Sequence, residues 1–236
     1  MAGRQLLTVD FDFFSRIPAS IDGQHEERPY YREHAWRRVE PSKDTLDPRS
    51  RIFWKMMERR FDLRGARLVV SDSHMYALHT FIDVRADGVI SFDAHHDLGY
   101  GHSDFASMIK RERFDCGSWL WWLLHYRPKL KLDLVFPQWK RSRDLEPDRE
   151  QSWMSGVLDR TVVRVWPDLP SGGRVTTIHL CRSAAWTPPW LDEAWLAFVM
   201  QAQRVTGRRP EFPYVRMEEY HPMHVRGCCA VAPRTV

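Results

Sequence analysis

Short apolar runs alternate with longer amphipathic segments along the chain, and this order predicts strands that alternate with helices. Apolar positions recur at the spacing of one helical face within 45–64. The segment 116–126 is apolar on every side, which predicts a buried helix. Further helices are predicted from about Met75 to Val84 and from Pro188 to about Val205. Alternating elements favour a mostly parallel sheet covered on both faces. The predicted fold class is α/β, a three-layer α/β/α sandwich. The predicted strands are Leu6–Phe11, Ala66–Val70, Gly88–Phe92, Leu132–Phe136, Val162–Trp166 and Val175–Cys181.

The remaining segments are polar or irregular. Residues 15–41 are rich in Pro, Arg and His and are predicted to form a long loop, and residues 137–160 are predicted to be helical in part. The last thirty residues show no regular pattern. Because no linker interrupts the alternation of strands and helices, we expect a single domain over residues 1–236.

Composition indicates a folded domain. Of 236 residues, 43% are hydrophobic and 13% aromatic, which is ample for a core. No apolar run approaches the roughly 20 residues of a membrane helix, and the first apolar run, which ends at Asp10, is too short for a secretory signal. The four cysteines form no CxxC pair and no disulfide framework. We therefore expect reduced thiols, no membrane partner and a cytoplasmic location.

The net charge of +4 does not indicate a nucleic-acid partner. Lys and Arg number 35, of which six are Lys and 29 are Arg, and they are scattered in twos and threes such as Arg37-Arg38 and Arg208-Arg209. A nucleic-acid interface usually concentrates its basic residues in one patch. No Gly-rich phosphate loop is present either, so a nucleotide cofactor is not expected.

Acidic and histidine residues follow three of the predicted strands, in the segments VDFDFF (9–14), SDSH (71–74) and FDAHHD (92–97). The carboxyl ends of parallel strands lie at one edge of a sheet, where ligands gather. In extended backbone, alternate residues face one side, so the side chains of Asp93, His95 and Asp97 would point together and His96 would point away. The candidate metal ligands are Asp10, Asp12, His74, Asp93, His95 and Asp97.

Four carboxylates and two imidazoles at one place need compensating charge. At 4 Å and an effective dielectric constant near 20, each carboxylate pair repels by about 4 kcal/mol. Two divalent cations balance four aspartates, and oxygen-rich ligands with some imidazole suit Mn²⁺ better than structural Zn²⁺. The predicted cofactor is therefore two Mn²⁺. A chance cluster, or a site that has lost its metal, is the alternative.

These motifs resemble those of the ureohydrolases. DAHHD resembles the DAHxD signature of arginase, agmatinase and their relatives, and SDSH is similar to their GDH segment, with Ser in place of Gly and one extra Ser. VDFDFF resembles their SxDxD element, although it lies here near the start of the chain instead of late in it. It is also similar to an arginase-like family that includes the peptide arginases. The Trp-rich stretch Trp119–Trp139 and Thr187-Pro188-Pro189 resemble that family too.

The resemblance implies an arginase-deacetylase architecture and a role for each residue. One manganese would be held by His74, Asp93, Asp97 and Asp10, and the other by Asp93, His95, Asp10 and Asp12, with Asp93 and Asp10 bridging. The proton relay and the guanidinium partner have less specific matches. They are assigned to His102, with His125 as second choice, and to Glu218 or Glu219.

The implied function is that of a manganese-dependent peptide arginase, which converts arginine side chains of a ribosomal precursor peptide to ornithine and releases urea. The loop 15–41 and the tail after Pro210 are the predicted rim of the peptide groove. Three alternatives stay open. They are a small-molecule ureohydrolase such as an arginase or agmatinase, another metal amidohydrolase such as a deacetylase, and a degenerate arginase-like domain that binds a partner without catalysis.

Overall fold

Seven parallel strands form one sheet. The strands are β1 (Gln5–Asp10), β2 (Arg67–Ser71), β3 (Gly88–Phe92), β4 (Lys131–Phe136), β5 (Thr161–Val165), β6 (Val175–Cys181) and β7 (Glu211–Tyr214). Their order is β5-β4-β3-β1-β6-β2-β7, and every pairing is parallel. The predicted α/β class is therefore confirmed. The computed structural model describes residues 4–16, 36, 39, 41, 45–99, 110, 114–139, 161–183 and 185–214.

In the part of the chain that the structure describes, four α-helices lie on connections between these strands, and the direction of each connection decides which face of the sheet the helix covers. The helices are α1 (Phe53–Glu58), α2 (Tyr76–Val84), α3 (Trp119–Tyr126) and α4 (Asp192–Thr206). Helices α1 and α4 lie on connections that run across the sheet towards β7, whereas α2 and α3 lie on connections that run towards β5. Since parallel crossovers are right-handed, opposite directions place the two pairs on opposite faces. The result is the predicted three-layer sandwich.

Each face of the sheet has its own apolar core, and alternate residues of one strand supply both. Leu7 and Val9 of β1 belong to the core that includes α1 and α4. Leu6 belongs to the core that includes α2 and α3. Every residue of β3 is buried, as expected for a central parallel strand.

The long helix predicted within 45–64 is wrong in extent. A 3₁₀ turn over Pro48–Arg51, capped by the carboxylate of Asp47, precedes a helix of only six residues, Phe53–Glu58. Ile52 lies at the junction of the two elements and is 48% exposed. No helix in the described part of the chain is long and apolar enough to cross a membrane.

The prediction that the last thirty residues are irregular is also wrong in part. Glu211–Tyr214 forms the edge strand β7 beside β2. The segment EFPY contains a proline, which suits an edge strand but hides the strand from a pattern search. Most of the predicted loop 15–41, and residues 140–160 and 215–236, lie outside the described residues.

Candidate metal centre

The three acidic segments meet at one edge of the sheet because of its topology. The chain leaves β1 for β2 on one side and then returns to β3 on the other side, so the winding direction reverses at β1. In open α/β sheets, ligands bind outside the carboxyl ends of the strands at such a reversal. The segments after β1, β2 and β3 all lie at this position.

Tight turns after β1 and β3, and not continued extended backbone, orient the carboxylates of the cluster towards one another. Asp10 Oδ1 accepts the backbone N–H of Asp12 at 3.2 Å and caps a 3₁₀ helix over Phe11–Phe14. Asp93 Oδ1 accepts the backbone N–H of His95 at 2.8 Å, and Asp97 adopts a left-handed φ of 51°. The expected alternation of side chains along an extended strand is therefore wrong here, although the side chains do converge. His96 Nδ1 accepts the N–H of Leu98 at 3.1 Å.

Two groups of ligand atoms share one carboxylate. Asp10, His74 and Asp93 form the first group, and Asp12, Asp93 and His95 form the second, with all atoms of each group within 4.8 Å of one another. In the first group, Nδ1 of His74 lies 2.7 Å from Asp93 Oδ2 and 3.6 Å from Asp10 Oδ2. In the second, Nδ1 of His95 lies 3.0 Å from Asp12 Oδ2 and 3.5 Å from Asp93 Oδ1. Asp93 therefore lies where a bridging ligand is expected.

Asp97 joins the first group and attaches it to helix α3. Its Oδ2 lies 2.8 Å from His74 Nδ1 and accepts the indole N–H of Trp119 at 2.6 Å. Its backbone carbonyl accepts the N–H groups of Leu120 and Trp121. All six predicted ligands thus lie together. His95 is the most exposed of them, at 18% of its side chain.

Burial and the charges of neighbouring groups shift the pKa values of the clustered aspartates. Burial, together with the charges of Asp12 and Asp93, raises the pKa of Asp10 well above its ordinary value. Burial and the charge of Asp93 raise the pKa of Asp97 to about 7. Burial alone would raise the pKa of Asp93, but hydrogen bonds and charge from His74 and His95 hold it below its ordinary value.

His74 completes this charge balance. Burial alone would lower its pKa, but the hydrogen bonds and charges of Asp93 and Asp97 outweigh burial and raise the pKa well above 6.5. Without metal, protons on Asp10, Asp97 and His74 therefore reduce the net negative charge of the cluster. Divalent cations would do the same when bound. Buried carboxylates with two imidazoles, arranged in two groups that share the carboxylate of Asp93, match the donor set of a dinuclear site for Mn²⁺ or a similar ion. The residues present fit the predicted metals.

The predicted proton relay and guanidinium partner are not among the six clustered residues. His102, Glu218 and Glu219 lie outside the described residues. His125, the second choice for the relay, is exposed and stacks on Trp121 near the far end of α3. It lies six residues after Trp119, or about 9 Å along the helix axis. That position does not suit a proton relay at this site.

Several polar residues around the site were missed by the sequence interpretation. Thr8, Ser71 and His179 are buried beside the first group, and the buried indole of Trp119 donates a hydrogen bond to Asp97. The ring of Trp186 lies 5.7 Å from that of His95. One feature of the sequence could have indicated these residues. His179 is titratable, yet it lies inside the otherwise apolar segment IHLC of a central strand.

Comparisons of this chain with protein-family models, with curated proteins and with solved structures give no match. The ureohydrolase resemblance therefore stays a prediction from the motifs. The fold and the geometry of the six residues are the structural basis for a functional proposal.

Proposed function

We propose that the chain binds two Mn²⁺ ions and hydrolyses arginine side chains within a peptide to ornithine and urea. The observation that carries the proposal is the pair of buried carboxylate–histidine groups that share Asp93. When bound, such a metal pair supplies a nucleophile at neutral pH by lowering the pKa of water. The six ligands lie at the position where parallel α/β sheets bind substrates.

Substrate would approach from the side of His95. The other five ligands are at most 6% exposed at their side chains, so His95 marks the accessible side of the cluster. The ring of Trp186, a residue that is 8% exposed, lies 5.7 Å from that of His95. A guanidinium group stacks favourably on aromatic rings, which suits an arginine side chain at this position.

The choice of a guanidino substrate in a peptide depends on the resemblance of DAHHD and VDFDFF to the arginase-like family. In this reaction, water adds to the guanidino carbon, one C–N bond breaks, and the products are urea and the amine of ornithine. The leaving amine must gain a proton. His102 is the proposed source, and Glu218 or Glu219 is the proposed partner of the guanidinium.

The proposed partner is a ribosomal precursor peptide in the cytoplasm. In a peptide, arginine has no free α-carboxylate or α-ammonium, so the site needs no dedicated groups for them. Free arginine would lose the positioning contacts of the peptide and should react more slowly.

The test compares urea release from an arginine-containing peptide, free arginine and agmatine at equal concentrations, with protein loaded with Mn²⁺. We expect the peptide to be the best substrate and its mass to shift from arginine to ornithine. A peptide with Lys in place of Arg, and the Asp93→Ala protein, serve as controls. Preference for a small molecule would instead indicate an ordinary ureohydrolase. Stoichiometric metal without urea from any of the three would contradict the guanidino substrate, and no bound metal would indicate a degenerate domain.

A further inference from the structure

A buried row of hydrogen bonds runs from the candidate ligand His74 across three strands. His74 Nε2 lies 2.8 Å from the hydroxyl of Thr8 on β1, and that hydroxyl lies 3.0 Å from Nδ1 of His179 on β6. Nε2 of His179 lies 2.9 Å from the hydroxyl of Ser71 on β2. The Ser71 hydroxyl donates to the backbone carbonyl of Ser73 at 2.8 Å. All four residues of the row, His74, Thr8, His179 and Ser71, are at most 1% exposed.

The carbonyl at the end of the row sets the direction of every bond in it. A carbonyl only accepts, so the single hydroxyl hydrogen of Ser71 is used there, and Ser71 must accept from Nε2–H of His179. The remaining nitrogen of a neutral His179, Nδ1, is then an acceptor. Thr8 donates its one hydrogen to that nitrogen, and Thr8 therefore accepts from Nε2–H of His74.

The surroundings of His179 favour its neutral form. Both ring nitrogens of His179 are hydrogen-bonded to hydroxyl groups, those of Thr8 and Ser71, and the residue is 0% exposed, so neither a carboxylate nor water at these nitrogens would compensate a charge on the ring. A charged His179 would donate from both nitrogens. Thr8 would then have to donate to Nε2 of His74, and the direction of that bond would reverse.

We infer that Thr8 and His179 are positioning residues that hold His74 as the Nε2–H tautomer, so that the lone pair of Nδ1 is presented to a metal ion. This inference rests on the proposed metal function. It matches the geometry, because Nδ1 is the nitrogen that lies within 3.6 Å of the carboxylates of Asp10, Asp93 and Asp97. Partners that fix the orientation and tautomer of a ligating histidine are a general feature of metal sites.

The first test is a matched pair of substitutions at Thr8. Thr8→Val keeps the shape and the strand preference but removes the hydroxyl, whereas Thr8→Ser keeps it. Mn²⁺ titrations followed by the electron paramagnetic resonance signal of the free ion report the affinity of each site without an activity assay. We expect Thr8→Val to weaken one of two sites about 10–100-fold, and Thr8→Ser to restore it. The site around Asp12 and His95 serves as an internal reference.

Wild-type affinity at both sites in Thr8→Val would overturn the inference while leaving the metal site intact. If the wild-type protein binds no Mn²⁺, the proposed function fails instead, and a second measurement on metal-free protein still tests the row. Two-bond ¹H–¹⁵N correlation spectra of ¹⁵N-histidine-labelled protein identify tautomers, and His179→Gln assigns the resonance. We expect a neutral Nε2–H tautomer for His179 at neutral pH. An Nδ1–H tautomer, or a charged ring, would refute the direction of the hydrogen bonds.

Discussion

Binding of Mn²⁺ to this cluster should expel protons, and the number is set by the perturbed acids. Metal coordination requires deprotonated carboxylates and a lone pair on each ligating imidazole nitrogen. The raised pKa values of Asp10, Asp97 and His74 mean that the metal-free protein keeps protons in acidic and neutral solution. Each bound ion must displace them.

The magnitude can be worked out at pH 6.5. With a pKa of about 7, Asp97 holds about three quarters of a proton at that pH. His74, whose pKa is raised well above 6.5, holds most of a second proton at Nδ1. The release per chain should therefore exceed the roughly 0.75 proton of Asp97 alone, and any proton kept by Asp10 adds to it. The contribution of Asp97 falls nearly to zero by about pH 8.5, because its carboxylate is then ionised before metal arrives.

Isothermal titration calorimetry in buffers with different ionisation enthalpies measures this number directly. Asp97→Asn is the matched control, since its amide oxygen can still accept the indole N–H of Trp119. We expect the variant to release about 0.75 proton less than wild type at pH 6.5, and the difference to shrink at pH 8.5. Tight Mn²⁺ binding at pH 6.5 with no proton release would refute the reasoning.

Three further predictions follow from the same geometry. Asp93→Ala removes a ligand from both groups, so elemental analysis should show loss of both metals together, and two retained metals would contradict a shared ligand. Hydrolysis should fall as pH decreases, because protonated His74 and His95 cannot coordinate metal, and a rate that stays flat from about pH 5 to 9 would contradict this dependence. Arg182 is fully buried and donates to Asp192 at 3.0 Å. Asp192→Ala should lower the free energy of unfolding by about 1.5–3 kcal/mol, and Asp192→Asn by less. An unchanged midpoint of denaturant unfolding in Asp192→Ala would show that this pair does not stabilise the fold.

The sheet could be predicted from sequence because its strands are short, apolar and β-branched. The segment GVISF of β3 contains a single polar residue, the small Ser91, and it is buried throughout. Helices depend more on context, so the amphipathic pattern within 45–64 overestimated the length of α1. The proline of β7 removed the usual signal of an edge strand altogether.

The six clustered residues could be found because acidic and histidine residues directly follow three predicted strands, and the carboxyl ends of parallel strands lie on the same side of a sheet. The reason given for their convergence, alternation in extended backbone, was nevertheless wrong. Asp10 and Asp93 each accept a backbone N–H two residues later, and such turns are local hydrogen-bond choices that a polarity pattern does not encode.

The row through Thr8 and His179 could not be predicted in the same way. It joins residues 171 and 108 positions apart, and it exists because β6 is inserted between β1 and β2. Pattern analysis detects strands but does not give their lateral order. The hydrogen bond from Trp119 to Asp97 likewise depends on how α3 packs against the turn that follows β3.

The central claim is that these six residues hold two divalent cations around Asp93. Crystals of the Mn²⁺-loaded protein, measured on both sides of the manganese absorption edge, test it most directly. The account predicts two anomalous peaks about 3.5–4 Å apart, one beside Nδ1 of His74 and one beside Nδ1 of His95, with the carboxylate of Asp93 in contact with both. Absence of anomalous density at the cluster, or peaks only at surface carboxylates, would contradict it.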